Sequence, residues 1–212
     1  MADVLTRKIC HQNTKNLRST KYSINHGLKD FIFMPKYIAF LRAINVGGHT
    51  VKMDYLKSLF EKMDFENVET FIASGNVVFE SKSKCIDTIK KKIETELIKQ
   101  LGYEVATFIR TTDDFKKINE YKPFNESELN NSNNTLYIGF LDSTASKENQ
   151  NKANALQDAA NEFHFNSKEF YWLCRKNFSD SGIDGKKLEK ALGMSLTMRK
   201  STTVRKMAAK FS

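Results

Sequence analysis

The chain has 212 residues, 40% apolar, 11% aromatic and 28% charged, with 9 Gly and 2 Pro. That is a globular composition with room for one large or two small domains, and it excludes disordered, collagen-like and disulfide-scaffold classes. The net charge of +9 is uneven: residues 1–33 carry 6 basic and 2 acidic side chains, residues 34–185 carry 20 and 22, and residues 186–212 carry 8 and 1. A basic surface is therefore expected only at the two ends.

In chain order, residues 1–33 show no periodic apolar positions, and Arg7 and Lys8 are followed by no apolar stretch of signal-peptide length. They are read as a flexible basic N-terminal extension, with the folded body beginning near Met34, itself a candidate start. Tyr37-Ile38-Ala39-Phe40-Leu41 is a continuous apolar run of strand length ending in Asn45-Val46-Gly47-Gly48. Met53, Leu56, Phe60 and Met63 then form a helical stripe. Short strands at 68–72 and 77–80 flank the turn residues Ala73-Ser74-Gly75-Asn76 and read as a hairpin. Ile86, Ile89, Ile93, Leu97 and Leu101 mark a second helix capped by Gly102, and 104–110 reads as a strand.

The order βαββαβ is the split βαβ of a ferredoxin-like plait, an antiparallel sheet with helices on one face. In that topology the loop leaving the first strand and the hairpin joining the next two emerge at the same end of the sheet. Asn45, Gly47 and Gly48 should therefore neighbour Ser74 and Asn76.

A short helix is expected at 113–120, and the Asn-rich stretch 122–134 reads as a linker dividing a subdomain at 34–121 from a smaller α+β subdomain at 135–212. In the latter, 135–141 is a strand, Ala153, Leu156, Ala160 and Phe163 suggest a helix, and 169–175 is strand-like. Leu188, Ala191 and Leu192 mark a helix stopping at Gly193. Val204, Met207, Ala208 and Phe211 mark a basic terminal helix. The fold class is thus α+β, a ferredoxin-like (alpha-beta plait) subdomain followed by a smaller α+β unit that looks related to it.

Chemistry is sparser. The longest apolar runs have five residues, far short of the roughly 20 that cross a bilayer, so no membrane partner is expected. Three cysteines, Cys10, Cys85 and Cys174, form no CxxC pair; this indicates neither a disulfide framework nor a zinc site, and fits a reducing cytoplasm. The four histidines lie at no metal-ligand spacing, and no cofactor or metal is expected. Gly47 and Gly48 sit between strand and helix, where backbone N–H groups hold anions, although the pattern is neither GxGxxG nor a Walker loop. Around them stand Arg42, Asn45, Lys52, Ser74 and Asn76, a set that binds better than it catalyses. Near the C-terminus, Arg199 stands beside the hydroxyls of Ser201, Thr202 and Thr203 that precede the last helix, and a phosphate fits there.

The stretch 37–48, then Lys52-Met53, then Phe71-Ile72-Ala73-Ser74-Gly75-Asn76-Val77-Val78-Phe79, resembles the signature of the bacterial domain-of-unknown-function 1697 family, with similarity over residues 34–211. In the C-terminal stretch the chain keeps Arg199, Thr203 and Val204 of the family pattern but has Lys200 and Ser201 where the family has Asn and Trp. The resemblance implies two plait-like subdomains and a cytoplasmic protein, and no established activity.

Three readings remain open. The first is a non-catalytic binding module for an anionic small molecule or nucleic acid, with Arg42, Asn45, Gly47, Gly48, Lys52, Ser74, Asn76, Arg199 and Thr203 as candidate ligand-binding residues. The second is an enzyme on a phosphorylated or carboxylated small molecule, with His49 moving a proton. The third is a scaffold acting through protein contacts.

Overall fold

The computed structural model describes residues 34–211. The expected extension at 1–33 lies outside the described residues. The elements are β1 (Lys36–Leu41), α1 (Met53–Lys62), β2 (Glu66–Phe71), β3 (Asn76–Glu80), α2 (Ile86–Leu101), β4 (Thr107–Thr111), α3 (Thr112–Glu120), α4 (Glu126–Leu129), β5 (Thr135–Leu141), α5 (Lys147–Asn154), β6 (Asn161–Asn166), β7 (Glu169–Cys174), α6 (Gly185–Leu192), β8 (Leu196–Lys200) and α7 (Ser201–Phe211). They form two four-stranded antiparallel sheets of equivalent order, β2-β3-β1-β4 and β6-β7-β5-β8. Each unit is a βαββαβ plait followed by one more helix.

Burial on both faces of the central strands explains their unbroken apolar runs. Tyr37, Ala39 and Leu41 of β1 pack with Val77, Phe79 and Ile109 against Leu56, Leu59 and Phe60 of α1 and Ile89, Ile93 and Leu97 of α2. Ile38 and Phe40 face the other way, into a middle core shared with Ile138, Phe140, Tyr171 and Leu173 of the second sheet and with α3 and α7. A third core joins Phe170, Trp172 and Cys174 to Leu188 and Leu192 of α6. The result is a helix–sheet–sheet–helix stack in which α3 and α7 fill the middle layer. Phe40 and Phe140 meet at its centre, their rings stacked with centroids 3.9 Å apart and planes 12° from parallel. Phe124, within the expected linker, is also buried in this core.

The second unit differs from expectation in two places. The stripe Ala153, Leu156, Ala160 and Phe163 is not a single helix: α5 ends at Asn154 and Phe163 lies in β6. Between them the Asp158 carboxylate accepts from the amides of Ala160 and Asn161, both 2.8 Å. That side chain-to-backbone turn competes with helix and reverses the chain into the strand. Strand β8, which the sequence pattern does not announce, completes the sheet by pairing with β5.

The two units are joined by a pair of matching arginine contacts. Arg110 of β4 stands opposite Ile38 of β1, and Arg199 of β8 stands opposite Ile138 of β5. Each guanidinium crosses to the other unit. Arg110 donates to Glu169 Oε1 at 2.7 Å and to the carbonyls of Leu141 at 2.9 Å and Lys168 at 3.1 Å. Arg199 donates to Asn76 Oδ1 at 2.6 Å and to the carbonyls of Ser74 at 2.8 Å and Leu41 at 3.2 Å. Their guanidinium carbons sit 5.7 Å from the Phe140 ring centre and 5.6 Å from the Phe40 ring centre, in cation–π range. Among the described residues no buried side-chain nitrogen or oxygen lacks a partner, so the middle layer closes without an orphaned polar atom.

Candidate functional site

The β1–α1 loop and the β2–β3 turn are neighbours, as the plait topology requires. Asn45 ties them: its Oδ1 accepts from the Val51 amide at 2.6 Å, and its Nδ2 donates to Val51 O at 3.3 Å and Ala73 O at 3.2 Å. The Leu41 amide donates to Gly75 O at 2.8 Å. Buried Asn76 braces the turn from inside, donating to Phe71 O at 3.0 Å and Ser74 Oγ at 2.8 Å.

Two of the expected ligand residues, Arg199 and Arg42, are taken up by contacts between the units. Arg199 does not stand free beside the hydroxyls of the last helix; its half-buried side chain turns into the β2–β3 turn and meets Asn76. Burial lowers its pKa to about 10, with no carboxylate among its hydrogen-bond partners, so it remains charged at neutral pH and is held by carbonyl and amide dipoles. Arg42 leaves the loop altogether: its Nη2 lies 2.7 Å from Glu189 Oε2 of α6, whose other oxygen accepts from the Leu196 amide at 3.0 Å. Thr203 is half-buried in the first turn of α7.

What remains at the surface is backbone and one lysine. Gly47 and Gly48 adopt φ of 72° and 90°, and a Cβ added at either position would meet nothing within 4 Å. Among the described residues, the amides of Gly47, Gly48, His49 and Thr50 donate no hydrogen bond. Lys52, exposed at the N-cap position of α1, has no ion-pair partner among them. Two non-glycine residues of the same two segments also have positive φ, Ala43 at 54° and Ile72 at 50°. For β-branched Ile72 this is an unfavourable conformation that the surrounding turn imposes, of the kind that concentrates at functional sites. Val46 and Ile72 stand 64% and 53% exposed beside the glycines. Only the glycines signal such backbone conformations in the composition, so nothing in residue type points to Ala43 and Ile72.

His49 stacks on Tyr103, ring centroids 3.8 Å apart. The Tyr103 hydroxyl donates to Ile44 O at 2.9 Å, and burial raises its pKa. No carboxylate orients the His49 ring and no nucleophile meets it among the described residues. No group of three His, Cys, Asp or Glu side chains among those residues is placed to hold a metal ion. No described helix is long and apolar enough to cross a membrane.

The basic C-terminal residues do not share one surface. Lys186, Lys187 and Lys190 ride on α6 outside the second sheet, whereas Arg205, Lys206 and Lys210 belong to α7 in the middle layer. Lys210 is paired with Glu69 of β2 at 2.6 Å.

The family model described as "Protein of unknown function (DUF1697)" matches residues 34–171. The chain belongs to that family. The match spans the first plait and runs into β7. Among solved structures, the conserved bacterial protein SP0830 from Streptococcus pneumoniae is similar with a TM-score of 0.66 and 20% sequence identity, over 85% of this chain and 100% of that one. At this identity the likeness establishes a shared fold. No curated protein matches the chain.

Proposed function

We propose that the protein is a non-catalytic binding module whose β1–α1 loop, backed by the β2–β3 turn, takes a small anion. The observation that carries this reading is the run of four undonated amides from Gly47 to Thr50 next to unpaired Lys52. Backbone N–H groups without a protein acceptor and an ammonium together make an anion site that requires no side-chain base. The location of the C-terminal cations on separate layers favours a compact anion over nucleic acid, which needs a continuous basic track. The enzyme reading has less support, because the His49 ring has an aromatic neighbour and no acid or nucleophile to work with.

Titration of isotope-labelled full chain with inorganic pyrophosphate tests the proposal. Saturable shifts of the Gly47, Gly48, His49 and Thr50 amides are expected, weakened about two- to fivefold by Lys52→Ala, the effect of one exposed charge contact. Amides that stay unmoved at saturating pyrophosphate, or shifts confined to α6 and α7, would overturn it. Retention on single-stranded nucleic acid that weakens steeply with salt would instead restore the polymer reading.

A further inference from the structure

A separate cleft of about 440 Å³ opens on the middle-layer side of the second sheet, between the C-terminal end of α3, the single turn α4, strand β5 and the start of α7. Its size is within the range of small-molecule sites. Leu129, Leu136 and Ile138 give it an apolar floor, an environment that favours a ligand with a hydrocarbon or aromatic body.

The charges around this floor divide into two kinds. Lys122 and Glu126 neutralise each other at 2.8 Å. Glu120 and Arg205 also line the cleft, both are exposed, and neither has an ion-pair or hydrogen-bonding side-chain partner among the described residues. They come from different helices, α3 and α7, and do not pair with each other. One free carboxylate and one free guanidinium over an apolar floor are complementary to a molecule carrying an ammonium, a carboxylate and an apolar group.

We propose that this cleft binds a zwitterionic α-amino acid with an apolar side chain, Arg205 receiving the carboxylate, Glu120 the ammonium, and Leu129, Leu136 and Ile138 the side chain. Arginine suits the first role because its fork of donors matches the two carboxylate oxygens. The site is independent of the anion-binding loop, which lies on the first unit.

Methyl-labelled full chain titrated with L-phenylalanine provides the test, with phenylalaninamide and N-acetyl-L-phenylalanine as probes lacking the carboxylate and the ammonium. Saturable shifts of the Leu129, Leu136 and Ile138 methyls are expected with phenylalanine, and binding weaker by about tenfold with either analogue, the worth of one charge-assisted contact. Arg205→Ala should weaken phenylalanine by a similar factor and leave the amide unchanged; Glu120→Gln should do the same with respect to the N-acetyl compound. Both substitutions are at exposed positions and leave the cores intact. Absence of saturable methyl shifts overturns the proposal, and so does equal binding of all three probes.

Discussion

Arg110→Ala should lower the free energy of unfolding by about 3–5 kcal/mol, measured by urea denaturation at neutral pH. The loss arises because Glu169, 7% exposed, would be left in the middle layer without its partner, and the carbonyls of Leu141 and Lys168 would each lose a donor. Replacing the pair together, Arg110→Met with Glu169→Leu, should recover most of the loss, since no unpaired charge is then buried. Arg199→Ala, at the matching position, should cost less, about 1–3 kcal/mol, because its partners are Asn76 and neutral carbonyls. Fluorescence of Trp172, the single tryptophan, reports on the second unit alone. Its transition should coincide with that of the far-ultraviolet circular dichroism in the wild-type protein, as a shared middle core requires. An Arg110→Ala cost no greater than that of Arg199→Ala would show that the carboxylate is not what makes the first contact strong.

Gly75→Ala is expected to destabilise by about 2–4 kcal/mol. The residue has φ of 69°, and a Cβ there would lie 2.7 Å from Ile44 Cγ2 and 3.1 Å from Leu41 Cβ. The left-handed backbone contributes about 1–2 kcal/mol of this and the overpacking about 1–3. For a chain of this size the thermal midpoint should fall by about 5–15 °C, read by circular dichroism. Gly48→Ala is the control: its φ of 90° is equally unfavourable to alanine, but nothing lies within 4 Å, so the cost should be only about 1–2 kcal/mol. Equal costs at the two positions would remove the close approach between turn and loop as the reason for a glycine at 75. Because Ser74 O and Gly75 O face the Arg199 guanidinium, Gly75→Ala should also loosen the contact between the units.

Much of the architecture is legible in the sequence because its signals are local. The run at 37–41 announces a strand buried on both sides, the stripe from Ile86 to Leu101 announces α2 with Gly102 at φ of 80° as its cap, and the order βαββαβ by itself places Asn45 beside the 73–76 turn. The second unit is harder to read. Its Ala153-to-Phe163 spacing satisfies a helical period by coincidence, and the Asp158 turn that breaks it depends on which amide groups a short side chain reaches.

The site residues show where local reading stops. Loop position brings Asn45 beside the turn that holds Ser74 and Asn76, but residue type presents Arg42 and Arg199 as cations facing a ligand. Their partners lie 147 and 123 residues away, at Glu189 and Asn76. Composition, periodicity and turn chemistry therefore determined by themselves that this chain builds an antiparallel plait and exposes a glycine-rich loop at one end of it, because those properties depend on neighbours in sequence. Only the tertiary structure decided that a second plait of the same topology packs face to face on the first, and that the arginines close that contact. A guanidinium satisfies a ligand anion or a protein carbonyl with the same donors, and which it meets depends on how the sheets pack.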